Sequence, residues 1–130
     1  MKKISFISIL LIVFITIIYV DYIPSDRSRF HEITGLEYIP EKITLLKHGV
    51  SEHRILWMIL QCEDPNQVNV YFKNYRKADS KYEVNFQIIP KEFKNYIKKN
   101  IIYKSDARKG KITYYYVDKN TIYFWMLAME

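Results

Sequence analysis

His48 and His53 bracket the segment Gly49–Glu52, and theirs is the first spacing along the chain that suits chemistry. In a four-residue hairpin loop the two imidazoles pair across the strands with Glu52 beside them. Two imidazoles and a carboxylate can hold zinc or copper. A dedicated site wants a third or fourth ligand, and His31, the only other histidine, is distant in sequence. Loop histidines exposed to solvent are the commoner outcome, so no metal and no cofactor is expected. Covalent catalysis needs a Ser or Cys beside a base with an orienting acid. Cys62, the single cysteine, ends an apolar run and reads as a buried small hydrophobe. There is no G-x-S-x-G elbow. The three glycines, Gly35, Gly49 and Gly110, cannot build a phosphate-cradling loop. Glu63, Asp64 and Glu92 are available carboxylates, but Asp64 is better placed to cap a helix. No set of active-site parts assembles, and the expectation is a protein that is not an enzyme.

Positive charge interleaved with tyrosine is the better lead. Lys91, Lys94 and Lys98 are spaced for one helical face, with Lys99 adjacent and Lys104, Arg108, Lys109 and Lys111 following. Tyr96, Tyr103, Tyr114, Tyr115 and Tyr116 lie among them. Such a mixture suits a polyanion: nucleic acid, anionic lipid headgroups or a wall polymer. The net charge is +6 and unevenly spread. Residues 21–70 carry 5 basic and 8 acidic side chains, whereas residues 71–130 carry 13 and 6. An ordinary solvated lysine-rich face is the plainer reading. Tyrosine also fills half-buried strand positions well, since the ring packs while the hydroxyl reaches water.

The elements that position these groups follow from local pattern. Ser25 or Asp26 can cap a short helix through about Thr34, with Phe30 and Ile33 inward and Gly35 as its C′ residue. Pro40 keeps the residues before it extended. Residues 43–48 and 54–62 read as strands about a turn at 49–52. Asp64-Pro65-Asn66-Gln67 is a strong helix start, and Val68, Tyr71, Phe72 and Tyr75 then fall on one face. Residues 82–88 alternate as a half-buried strand. Pro90 opens a short helix with Phe93, Tyr96 and Ile97 inward, and residues 101–103 suit a strand. A hairpin closes the chain, 111–117 and 121–129, turning at Asp118-Lys119-Asn120.

Residues 30–46, FHEITGLEYIPEKITLL, resemble a pattern in small uncharacterised bacterial membrane-anchored or lipoprotein-like domains. There a short helix ends in Thr-Gly and a Pro precedes the first strand, as at Thr34, Gly35 and Pro40. The lipobox cysteine that such proteins often carry is missing. The resemblance implies placement and the first two elements, and it carries no activity.

Placement comes from residues 4–20, ISFISILLIVFITIIYV, which hold no charge, Pro or Gly. As a helix this run rises about 25 Å, and the flanking tyrosines can extend it into an interface. The small residues of a cleavage site are missing after it. The expectation is an uncleaved signal-anchor over 1–23 and an extracytoplasmic domain over 24–130, with the N-terminus cytoplasmic because Lys2 and Lys3 precede the run. That domain is expected to be α+β, a mostly antiparallel sheet of about five strands with two to three short helices. With the N-terminal transmembrane helix this makes a single-pass cell-membrane protein. Residues 55–60 and 122–129 are apolar on both strand faces, so both faces must be covered. Three short helices cover one. The sheet either curls on itself or meets a partner, which gives the expected function: a membrane-anchored binding or accessory protein of the bacterial envelope, acting through an exposed sheet face. Tyr115, Tyr123, Trp125, Lys94, Lys98, Arg108 and Lys109 are the residues expected to meet that partner, a protein or a second copy. An immunity or inhibitor protein against a toxic enzyme is one alternative. A basic module for lipid headgroups or a wall polymer is the other, with nucleic acid set aside because of the expected location.

Overall fold

A computed structural model describes residues 2–22, 24–78, 89–93, 101–106 and 108–128, with side chains over the same residues apart from 2–4, 16–22 and 53. The helices are α1 (Lys2–Tyr22), α2 (Asp26–Thr34) and α3 (Val68–Tyr71). The strands are β1 (Ile43–Val50), β2 (Leu56–Cys62), β3 (Arg76–Lys77), β4 (Tyr103–Ser105), β5 (Lys111–Asp118) and β6 (Thr121–Ala128). Turns of 3-10 helix lie at Glu52–Arg54, Pro65–Gln67 and Lys91–Phe93. The six strands form one antiparallel sheet in the order β1-β2-β6-β5-β4-β3.

The transmembrane expectation is corrected here. Among the described residues no helix is long and apolar enough to cross a membrane. The membrane anchor, the single-pass placement and the cytoplasmic-to-extracytoplasmic orientation therefore lose their basis. What α1 does display is apolar surface: the large residues from Phe6 to Val13 and on to Ile15 are 50–64% exposed.

Local chemistry explains the short elements. Ser25 is extended and its hydroxyl accepts from the Ser28 N–H at 3.2 Å, so it caps α2. Gly35 ends that helix with φ +78°, and its N–H donates to the His31 carbonyl at 2.7 Å. The Asp64 carboxylate accepts from the Asn66 N–H at 3.1 Å, which starts the next helix where the sequence expects it. That helix stops at Tyr71 rather than running on to Tyr75. Phe72 leaves helical geometry, at φ −118° and ψ +61°, and its ring lodges 4.9 Å from Phe124 and 5.6 Å from Tyr115. Tyr75 reaches the same two rings from beyond the turn, at 5.8 and 5.0 Å. Burying both aromatics against the sheet outweighs another turn of helix. The expected strand over 82–88, and Tyr96 and Ile97 of the expected helix after Pro90, lie outside the described residues; Phe93 is fully buried. The short β3 at Arg76–Lys77 is an element without a sequence signal.

The sheet is covered on both faces by its own chain. On one, Phe30 and Ile33 of α2 and Val68 and Phe72 pack on Met58, Leu60, Tyr115 and Phe124. On the other, Ala78, Ile89, Phe93 and Ile102 pack on Trp57, Tyr114, Tyr116 and Trp125. The closing hairpin is an aromatic ladder. Tyr116 stacks on Tyr123 at 4.7 Å and Tyr114 on Trp125 at 5.2 Å, each pair directly opposite in register. The doubly apolar strands β2 and β6 are thus central strands of a two-sided core, and the inference of an unfilled sheet face falls away for the described residues.

Candidate anion-binding cleft

Alternation on β5 sends Lys111, Thr113 and Tyr115 to the same face of the sheet, toward α2 and α3. Ser105 lies opposite Thr113 on β4 and joins them. Above this floor stand the end of α2, with Thr34 and Leu36, and the Tyr71–Tyr75 turn, while Arg108 closes the side from the β4–β5 connection. These residues, with Lys73 and Asn74, line an open cleft holding about 60 Å³ of free space. Among the described residues its lining carries three cations, Lys73, Arg108 and Lys111, and no carboxylate, histidine or cysteine.

Arg108 and Thr113 are held by the helix they sit under. Arg108 Nη1 donates to the carbonyls of Glu32 at 2.8 Å and Ile33 at 3.3 Å, and the Thr113 hydroxyl donates to Ile33 at 3.1 Å. Both contacts satisfy orphan carbonyls at the negative end of the α2 dipole. Gly35 makes room: a Cβ there would lie 3.2 Å from Arg108 Cδ. The guanidinium has five N–H donors, and these two contacts leave most of them over for the cleft. Tyr75 is hydrogen-bonded with Thr113 and lies near Arg108; burial pushes its phenol well above the ordinary value, against the pull of those two neighbours. Burial likewise raises Tyr115, helped by the phenols of Tyr103 and Tyr75. Both hydroxyls stay protonated at neutral pH and serve as donors, not bases. The site offers positive charge and hydrogen-bond donors.

The residues expected to meet a partner separate by depth. Trp125 and Tyr115 are interior, at 0% and 1% exposure, and Tyr123 is half-buried against Tyr116. Trp125 and Tyr115 build the core and present almost nothing outward, while Tyr123 keeps part of its surface. Arg108 belongs to the cleft and Lys109 is exposed next to it, while Lys94 and Lys98 lie outside the described residues. His48 turns to α2, with Nε2 3.2 Å from the Asp26 carboxylate. Among the described residues no cluster of three metal-ligating side chains occurs. The cleft residues that sequence reasoning missed are Lys73, Asn74, Tyr75 and Thr113. Thr113 could be found from its alternation with Lys111. Lys73 and Asn74 carry no such signal, because only the early end of α3 swings them into place. Comparison with protein-family models, with characterised proteins and with solved structures finds no match.

Proposed function

We propose that this is a binding protein without chemistry of its own, and that it takes a phosphate-bearing polyanion on the basic face around the cleft. The observation that carries the reading is the convergence of Lys73, Arg108 and Lys111 on one cleft with no acidic lining residue among the described residues. Lys77 lies on the same face of the sheet through its pairing with Tyr103, and Lys109 stands beside it. Cations gathered within a Debye length of one another raise the local concentration of a polyanion and hold it by releasing its counterions. Salt dependence is the test. The full chain, titrated with polyphosphate, a polyol-phosphate polymer and a single-stranded oligonucleotide, is expected to lose about 20- to 50-fold in affinity between 50 and 200 mM salt for three to four phosphate contacts. The three polymers separate the possible sources of the phosphate. Affinity that ignores salt, or no affinity for any of them, would sink the reading.

A second reading rests on β1. Among the described residues this outer strand has one neighbour, and Leu46 and Val50 on it are 53% and 56% exposed. An open strand of eight residues can add a partner strand, as an accessory or inhibitor protein would use it. Self-association of the full chain that Leu46→Lys abolishes would favour this edge; sedimentation unchanged by that substitution would remove it.

A further inference from the structure

We infer that the cleft is an end-group receptor: it seats a single phosphate monoester, the terminal group of the polyanion, rather than tracking a length of polymer. The inference rests on the polyanion reading above and deepens it. Volume is the first argument. A water needs about 10–15 Å³ of such space, so the roughly 60 Å³ here takes about four to six water-sized groups. That is the room one tetrahedral oxyanion with its oxygens takes. Charge is the second. A phosphate monoester carries about −1.5 to −2 at pH 7 with three strong acceptor oxygens, whereas a backbone diester carries a single charge. Three cations from two separate pieces of chain, Lys73 after α3 and Arg108 and Lys111 on the turn into β5, suit the doubly charged end better than the singly charged link. Donors are the third. Ser105 and Asn74 bring hydroxyl and amide N–H groups to the same space. The guanidinium is pre-set by its bonds to the α2 carbonyls, so little order is lost when an anion arrives. At the mouth, Leu36 and Tyr71 give an apolar rest for whatever carbon skeleton bears the phosphate.

The test uses the full chain with glycerol 3-phosphate as probe, followed by calorimetry and by amide chemical shifts. Saturable binding is expected, with shifts at Lys111, Thr113 and Tyr75 and with competition against polyphosphate. Lys111→Gln and Lys73→Gln should each weaken it about tenfold, while Lys42→Gln, far from the cleft, leaves it unchanged. Lowering pH from 7 to 5 should weaken the phosphate ester as its second proton binds, and should leave a sulfate ester of the same skeleton unaffected. If polyphosphate binds with the expected salt dependence but glycerol 3-phosphate neither competes nor responds to Lys73 and Lys111, the end-group receptor is overturned and the polyanion reading stands. If neither binds, both fall. If the sulfate ester binds as tightly as the phosphate ester at pH 7, the assignment to phosphate is wrong.

Discussion

Two residues show how closely the interior is set. Gly49 lies opposite Trp57, and a Cβ built there would sit 2.7 Å from Trp57 Cζ2, a buried ring atom with nowhere to go. Gly49→Ala is therefore expected to cost about 1–3 kcal/mol in a urea titration, the usual range for overpacking. A loss under about 0.5 kcal/mol would mean the indole can slide. Arg29 is the opposite case. It is 5% exposed on α2, and its Nε and Nη1 find no hydrogen-bond partner. Two unpaired nitrogens on a buried guanidinium are costly, and apolar replacements of similar volume at buried ionic sites are often neutral or stabilising by about 1–4 kcal/mol. Arg29→Met is expected to raise the thermal midpoint or leave it unchanged. A large drop would reveal a partner to that charge and recast Arg29 as a binding group. Neither prediction could be made from sequence, since a lone glycine in a strand and an arginine on a nine-residue helix look ordinary.

Elements were legible wherever the local signal and the tertiary demand agree. Ser25, Gly35 and Asp64 mark helix ends where those ends occur, because capping is settled by hydrogen bonds within a few residues. The closing hairpin was legible because Asp118, Lys119 and Asn120 suit a turn, and Lys119 does adopt φ +56°. Ser25→Ala is expected to cost about 1 kcal/mol by loss of the α2 cap. Its effect should carry to the cleft, since α2 positions Thr34 and anchors Arg108: weaker phosphate binding would mark a displaced helix end, and unchanged binding a local fraying. The shortened α3 was not legible. Its helical pattern was real, and the two rings that end it answer to Tyr115 and Phe124, forty or more positions further along. Sheet-edge strand β3 was hidden for a similar reason: two residues, Arg76 and Lys77, hold no period. The cleft depends on the shortened α3, which brings Lys73 to it, and so only Arg108 and Lys111 of its cations were read, as part of a basic run.

At the scale of the whole molecule, alkaline pH is the informative stress. Tyr75 and Tyr115 have phenols raised above the ordinary value of 10.0 in the fold. The unfolded chain therefore ionises them first as pH climbs. Their contribution to stability is complete below about pH 9 and is lost as pH rises past 10, by up to about 1.4 kcal/mol per pH unit for each tyrosine. Urea midpoints measured from pH 8 to 11 should fall accordingly, and Tyr75→Phe should flatten that slope. A flat wild-type profile would mean these phenols are already wet. The edges of the sheet differ in how they meet solvent. β3 is short and basic, a form that resists pairing with another strand. β1 is long but carries a bulge between Leu45 and Lys47, and Lys47 reaches over Trp57 at 5.9 Å. One bulge and one lysine are modest protection for eight residues.

Register places Trp57, Trp125 and Tyr114 side by side across three strands, β2, β6 and β5. Both indoles are interior, and the tyrosine lies flat on one of them at 15° between planes. Light absorbed by that phenol will pass to the indole instead of being emitted, and the two indoles will fluoresce blue of a solvated tryptophan. A slip of one residue in any of the three strands sends its ring to the opposite side of the sheet and breaks the row. The protein thus carries an intrinsic optical gauge of strand alignment, readable without a label while ligands, salt or base are varied.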